Sequence, residues 1–146
     1  MNKTIYYASR RSSYSTRLFS QLVNDATVTS HVLISVCIAH HERGPLLKQA
    51  LTSVREQTLP PSAIEAIVVD DGSESQLALE TLKSISHWPE FRAGRWQLLR
   101  RTSQYLGAAR NEAIRHAGGD YIYFLDDDNV LARASMNLNA AQTLLA

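Results

Sequence analysis

The sequence predicts an α/β domain built on a mainly parallel, Rossmann-like sheet with flanking helices. Two continuous apolar runs, "VLISVCIA" (Val32–Ala39) and "AIEAIVV" (Ala63–Val69), have the β-branched, non-alternating character of strands covered on both faces. Helical patterns separate such runs, giving an alternation of strand and helix. The connections are also long enough for the crossovers that parallel neighbours need. A chain of 146 residues can bury one sizeable core.

After Val32–Ala39, Gly44-Pro45 puts a proline where a first helical turn tolerates it, and Leu46, Leu47, Ala50, Leu51 and Val54 recur at helical spacing. Pro60-Pro61 stops that helix. The strand Ala63–Val69 runs into Asp70-Asp71-Gly72-Ser73, where Ser73 and Gln76 form a capping-box pattern for a helix carrying Leu77, Leu82 and Ile85. Beyond a looser stretch with Trp88 and Pro89, "WQLLRR" reads as a third strand. Leu106, Ala109, Ala113, Ile114 and Ala117 line a third helix, closed by Gly118-Gly119. "DYIYFL" is the fourth strand, and a last helix is expected from Arg133 to Leu145. Cys37, Trp88 and Trp96 read as core and cover.

Residues 1–30 are polar, with one short amphipathic stretch from Leu18 to Val23. They read as an N-terminal extension, partly helical or disordered, ahead of a domain over 31–146. A net charge of +1 gives no electrostatic reason to expect nucleic acid as a partner. No run reaches the roughly 18 apolar residues of a membrane helix. The N-terminus also lacks the apolar centre of a secretory signal. One cysteine excludes an internal disulfide, so a cytoplasmic location is the default.

Right-handed crossovers bring all the strands' carboxyl ends to one edge, where ligands bind in sheets of this class. Polar clusters fall there: His40-His41-Glu42, Asp70-Asp71 and Asp126-Asp127-Asp128. If the strand stays extended, Asp126 and Asp128 point to one side, roughly 6–7 Å apart. Carboxylates are hard oxygen donors, which favours Mg2+ or Mn2+ over softer metals. Two of them leave a shell that phosphate oxygens and water complete, so the pattern points to a metal bridging the protein to a phosphorylated ligand. The plainer alternative is a solvated acidic turn, with Asp70 a turn residue and Arg110 a surface charge. His40 and His41 point apart on a strand end and make a poor chelate.

Three stretches, "ISVCIAHHERGPLLKQALTSVREQT", "IEAIVVDDGSES" and "LGAARNEAIRHAGGDYIYFLDDDN", resemble the nucleotide-binding half of family 2 glycosyltransferases of the GT-A fold. The resemblance covers Val32 to Asn129. It implies that Asp126-Asp127-Asp128 is the family's DxD element, with Asp128 the direct metal ligand and Asp126 near the metal or the ribose. It likewise makes Asp71 the contact to uracil or its equivalent. Gly107, Arg110 and Asn111 correspond to the family's G-x-x-ARN stretch, and Ala39 to a residue flanking the base. His40, Glu42 and Asp127 fall in the same nucleotide-sugar site. The family commonly has Pro-Thr-Tyr-Asn-Arg where this chain has Ala39-His40-His41-Glu42-Arg43. The implied function is transfer of sugar from a nucleotide diphosphate, UDP favoured, to a glycan or other hydroxyl acceptor. Inversion and a Mn2+ or Mg2+ cofactor are expected. In the family the acceptor half and its acidic base follow the DxD element, so both are expected outside this chain. The alternatives are a non-catalytic nucleotide-sugar-binding module and a phospho-acceptor receiver, which would need a lysine at a later strand end.

Overall fold

The protein is described by a computed structural model over residues 7–9 and 32–136, with side chains over 32–136. The chain order is β1 (Tyr7–Ser9), β2 (Ile34–His40), α1 (Gly44–Arg55), a 3-10 turn (Pro61–Ala63), β3 (Ile64–Asp71), α2 (Gln76–Ser86), a short α3 (Pro89–Arg92), β4 (Gln97–Arg101), α4 (Leu106–His116) and β5 (Tyr121–Phe124). The expected parallel sheet and its alternation are both present, shifted at most two residues at the strand ends. The sheet order is β1-β5-β2-β3-β4, with β5, β2, β3 and β4 parallel. The sequence reading places no strand in the polar N-terminal segment, yet Tyr7–Ser9 pairs antiparallel with β5. Leu18–Val23 lies outside the described residues.

Two cores follow from strand alternation. Ile34, Val36 and Ile38 of β2 face α1 and α2, together with Leu47, Leu51, Val54, Leu82 and Ile85. Cys37, Ile67, Val69 and Ile122 face the small residues Ala109 and Ala113 of α4. Each fully buried aliphatic side chain contributes about 1.5–3 kcal/mol of transfer free energy. Trp96 joins the first core and Trp88 packs against it; the Arg55 guanidinium lies 4.1 Å over the Trp88 ring. At the amino ends of the strands, the buried Glu65 carboxylate accepts from Ser35 Oγ (2.6 Å) and Gly118 N–H (2.6 Å). Ser35 Oγ in turn accepts from Gly119 N–H at 2.8 Å. The two glycines therefore dock the α4–β5 connection under the sheet; the expected glycine stop is corrected, since the helix ends at His116 and its extended cap residue is Ala117.

Two further expectations are corrected. The cap of α2 is Ser75, whose hydroxyl accepts from Ala78 N–H, and not Ser73. Ser73 is already committed to Asp70 and to the Glu42 N–H. No helix begins at Arg133 either: residues 133–136 are turn and bend, and the rest of that expected helix lies outside the described residues. Here the backbone is tied to α1 and the turn after it. Leu131 N–H donates to Ser53 Oγ at 3.0 Å, and Gln57 brackets the segment through Ala132 O and Met136 N–H. Side chains thereby take groups that a helix would have bonded internally.

Candidate nucleotide-sugar site

The chain leaves β2 toward β3 and β4, then returns to lay β5 on the other side of β2. This reversal opens a crevice between the carboxyl ends of β2 and β5, the position where open α/β sheets take ligands. A cleft of about 720 Å³ lies there, lined by Ala39 to Arg43, Asp71, Ser103 to Leu106, Ala109, Arg110 and Asp126 to Asp128. The three polar clusters of the sequence thus share one cavity.

The acidic stretch is a turn and not a continued strand, which corrects the extended conformation behind the expected spacing of roughly 6–7 Å. β5 ends at Phe124, and Asn129 N–H closes the turn on Asp126 O at 3.1 Å. Asp126 accepts from Arg110 Nη2 at 3.0 Å and from Asn129 Nδ2 at 3.3 Å. Asp128 accepts from Arg43 Nη1 at 3.1 Å. Asp127 is buried and accepts from His40 Nδ1 (2.9 Å), His41 N–H (3.3 Å) and Arg43 Nη1 (3.4 Å). Side chains at 126 and 128 are 45% and 39% exposed, against 9% for 127, so the outer pair faces the cleft and the middle one is an internal anchor.

The β3 end is equally committed. Asp70 is fully buried, accepting from Ser73 N–H and Oγ and from Arg100 Nε at 2.9 Å. It is the turn residue of the plainer reading. Asp71 accepts from Gln104 N–H at 3.2 Å and lies 3.4 Å from Arg101 Nε. His41 Nδ1 is 3.0 Å from Asp71 O, so the two histidines turn to different partners.

Three residues expected in the site behave otherwise. Gly107 and Asn111 do not line the cleft; Arg110, between them, does. Glu42 lines it, but its carboxylate is turned to the start of α2, where it accepts from the N–H groups of Glu74 and Ser75. A helix start offers unpaired N–H groups and positive dipole, which stabilise the anion. The Ser75 hydroxyl, then the Glu74 N–H, hold the Glu42 carboxyl down from an ordinary 4.5 to about 2. Because the folded value is depressed, its stabilisation is complete above pH 4.5 and lost as the pH falls toward 2. Urea midpoints measured across that window are expected to fall, and Glu42→Gln to flatten that part of the profile.

Sequence reasoning missed Arg43, Tyr105 and Arg101. Arg43 is the cation common to this chain's Ala39–Arg43 stretch and the family motif, and that match was the available signal. Tyr105 is an exposed aromatic directly ahead of α4, at 66% exposure. Arg101 carries no local mark, since only the β3–β4 register places it beside Asp71.

Among the described residues no three His, Cys, Asp or Glu side chains come together as a ready metal cage. The accessible carboxylates at the cleft are nevertheless hard oxygen donors, while the His40 and His41 Nδ1 atoms are taken by Asp127 and the Asp71 carbonyl. Asp126 and Asp128 are accessible, and the fit is to a divalent ion that takes its other ligands from a bound phosphate.

The glycosyl transferase family 2 model matches residues 35–136. Glycosyltransferase YwdF of Bacillus subtilis (strain 168) is 34% identical over 96 residues, which is 66% of this chain and 32% of that protein. Poly(ribitol-phosphate) beta-N-acetylglucosaminyltransferase TarP of Staphylococcus aureus (strain N315) is 29% identical over 67% of this chain and 29% of its own length. The chain therefore spans about a third or less of the curated relatives it matches. Among solved structures, mannosyltransferase PcManGT from Pyrobaculum calidifontis in complex with GDP-Man and Mn2+ superposes with a TM-score of 0.66. It is 24% identical over 80% of this chain and 33% of that one. S. aureus TarS 1-349 in complex with UDP gives 0.63, at 23% identity over 75% of this chain and 31% of that one. These likenesses show the GT-A fold. The family match runs from β2 past the acidic turn, and so the chain belongs to glycosyl transferase family 2.

Proposed function

We propose that this chain is the donor-binding part of a glycosyltransferase and takes a nucleotide-diphosphate sugar, UDP favoured, with Mn2+ or Mg2+. The observation that carries the reading is the charge of the cleft. Among the described residues, Glu42, Asp71, Asp126, Asp127 and Asp128 line it, against the guanidiniums of Arg43 and Arg110 in the lining and that of Arg101 beside Asp71. A diphosphate brought into that field without a cation would be repelled.

In this reading Asp126 and Asp128 hold the ion, with Asp128 the direct ligand. When bound, the ion supplies charge neutralisation for the departing diphosphate. Arg110 lies 5.5 Å over the Phe124 ring and pairs with Asp126, and in this reading it exchanges that partner for a phosphate oxygen. Asp71 keeps lone pairs beyond those given to Gln104 and accepts the ring N–H of uracil. Ala39 flanks the base without filling its space. In the transfer itself, the acceptor oxygen forms a bond to the anomeric carbon as the carbon–phosphate oxygen bond breaks, with inversion. The hydroxyl proton passes to a carboxylate base. We assign that base and the acceptor site to the part of the relatives' length that this chain does not span. The isolated chain should then bind donor with weak or no transfer. A cytoplasmic setting, in the whole protein at the membrane face, fits a cytosolic sugar nucleotide.

Calorimetric titration with UDP and CDP in the presence of Mn2+ tests the base contact. Cytosine has no ring N–H to donate, so UDP should bind about tenfold or more tightly, the worth of one hydrogen bond to a charged acceptor. Asp71→Ala should erase that preference. Equal binding of both nucleotides by the wild-type chain would contradict the assignment.

A further inference from the structure

We infer that His40 is a positioning residue for the acidic turn, acting through Asp127, and makes no contact with the nucleotide. The inference rests on the donor-site reading above and reassigns one residue expected to bind donor. His40 ends β2 among the residues around the cleft, but its side chain is fully buried, whereas Ala39 beside it is half-buried. Its Nδ1 is 2.9 Å from Asp127 Oδ2. A carboxylate only accepts, so Nδ1 carries the ring proton. Nε2 is buried without a hydrogen-bond partner among the described residues. Burying an imidazole with one unmatched nitrogen is costly, and the bond to Asp127 is the polar function that offsets it.

The remaining donors to Asp127 come from the same strand end: His41 N–H and Arg43 Nη1. Asp127 is therefore a peg set into the tip of β2, while its neighbours on either side reach the cleft. Fixing the peg fixes the turn, and the turn aims Asp126 and Asp128 across the crevice. Second-row partners of this kind set the orientation of metal-binding carboxylates, and their loss typically lowers metal affinity about 10–100-fold.

The test compares the wild-type chain, His40→Leu and His40→Asn by calorimetry with uridine, with UDP, and with UDP plus Mn2+. Leucine fills the volume without a donor. Asparagine can place an amide N–H where Nδ1 stands. His40→Leu is expected to cut the Mn2+-dependent gain in UDP affinity about tenfold or more while uridine binds as before, and His40→Asn to restore most of the gain. If uridine and the gain fall together in both variants, His40 is only a core residue and the inference is wrong. It is equally wrong if His40→Leu keeps the full gain. Should His40→Leu fail to fold, His40→Asn decides alone, since loss of the gain with uridine binding intact would mean the ring is not acting as an Nδ1 donor. A wild-type chain that shows no gain overturns the donor-site reading and this inference with it, whereas a normal wild-type gain left unmoved by both variants overturns only the role of His40.

Discussion

Asp128→Ala should leave a chain that folds normally, binds UDP without metal at least as well as the wild type, and gains almost nothing from Mn2+. The three outcomes come from separate features of one residue. Asp128 is 39% exposed and its ion pair with Arg43 joins two accessible side chains, so its loss costs about 0–1 kcal/mol of stability. Removing one carboxylate from an anionic cleft relieves repulsion of the diphosphate and releases part of Arg43 toward it. In the proposed function Asp128 is a direct metal ligand, and removing one is more severe than removing a supporting group, which already costs about 10–100-fold in metal affinity. Metal-free and metal-supported affinities therefore move in opposite directions. A general loss of binding would lower both, and titrations of UDP with and without Mn2+ distinguish the two cases.

Gly72→Ala is expected to have the largest effect on stability of the substitutions considered, about 2–5 kcal/mol. Gly72 has φ +79°, and a Cβ there would sit 2.7 Å from the Ser103 backbone nitrogen. The left-handed backbone costs an alanine about 1–2 kcal/mol. Overpacking against main chain adds about 1–3 kcal/mol, because backbone cannot swing aside as a side chain can. Gly94 supplies the control: φ is +74°, and nothing lies within 4 Å of its virtual Cβ. Gly94→Ala should therefore show the backbone cost alone. Urea denaturation of the two variants separates conformation from collision by subtraction. Gly72→Ala should also weaken nucleotide binding, since the displaced strand-end segment includes Gln104, whose N–H meets Asp71. Equal destabilisation by both variants would mean that the β3 tip yields freely and does not set the cleft.

The sheet was legible because its signals are local. β2 and β3 are buried on both faces, and their unbroken apolar runs say so without knowledge of partners. The acidic turn and Asp71 stood out for the same reason, as polar groups directly after such runs. What escaped depends on register and competition between partners. Arg101 becomes a neighbour of Asp71 only once β4 is paired with β3. Ser73 looked like a cap, but Asp70 and Glu42 claim it first and leave the cap to Ser75. Glu42 lines the cleft as expected, but that its carboxylate is held by the start of α2 depends on contacts 32 and 33 residues away in sequence. Extrapolating β5 straight through Asp128 failed because the chain turns after Phe124, closed by Asn129 N–H on Asp126 O and anchored through Asp127 on His40, 87 residues away in sequence. Tyr7–Ser9 pairs along β5, and its only local mark is the four-residue apolar run Ile5 to Ala8 inside an otherwise polar segment.

In the proposed function the acidic turn and Asp71 face one cleft whose excess negative charge a divalent cation balances once a diphosphate is bound. Electron paramagnetic resonance of Mn2+ tests it most directly, because the free aquo ion gives a sharp sextet that disappears on immobilisation. With the protein alone most of the sextet should persist, and with protein and UDP together it should fall well below the level that UDP alone produces. A sextet as strong with protein and UDP as with UDP alone would contradict the account.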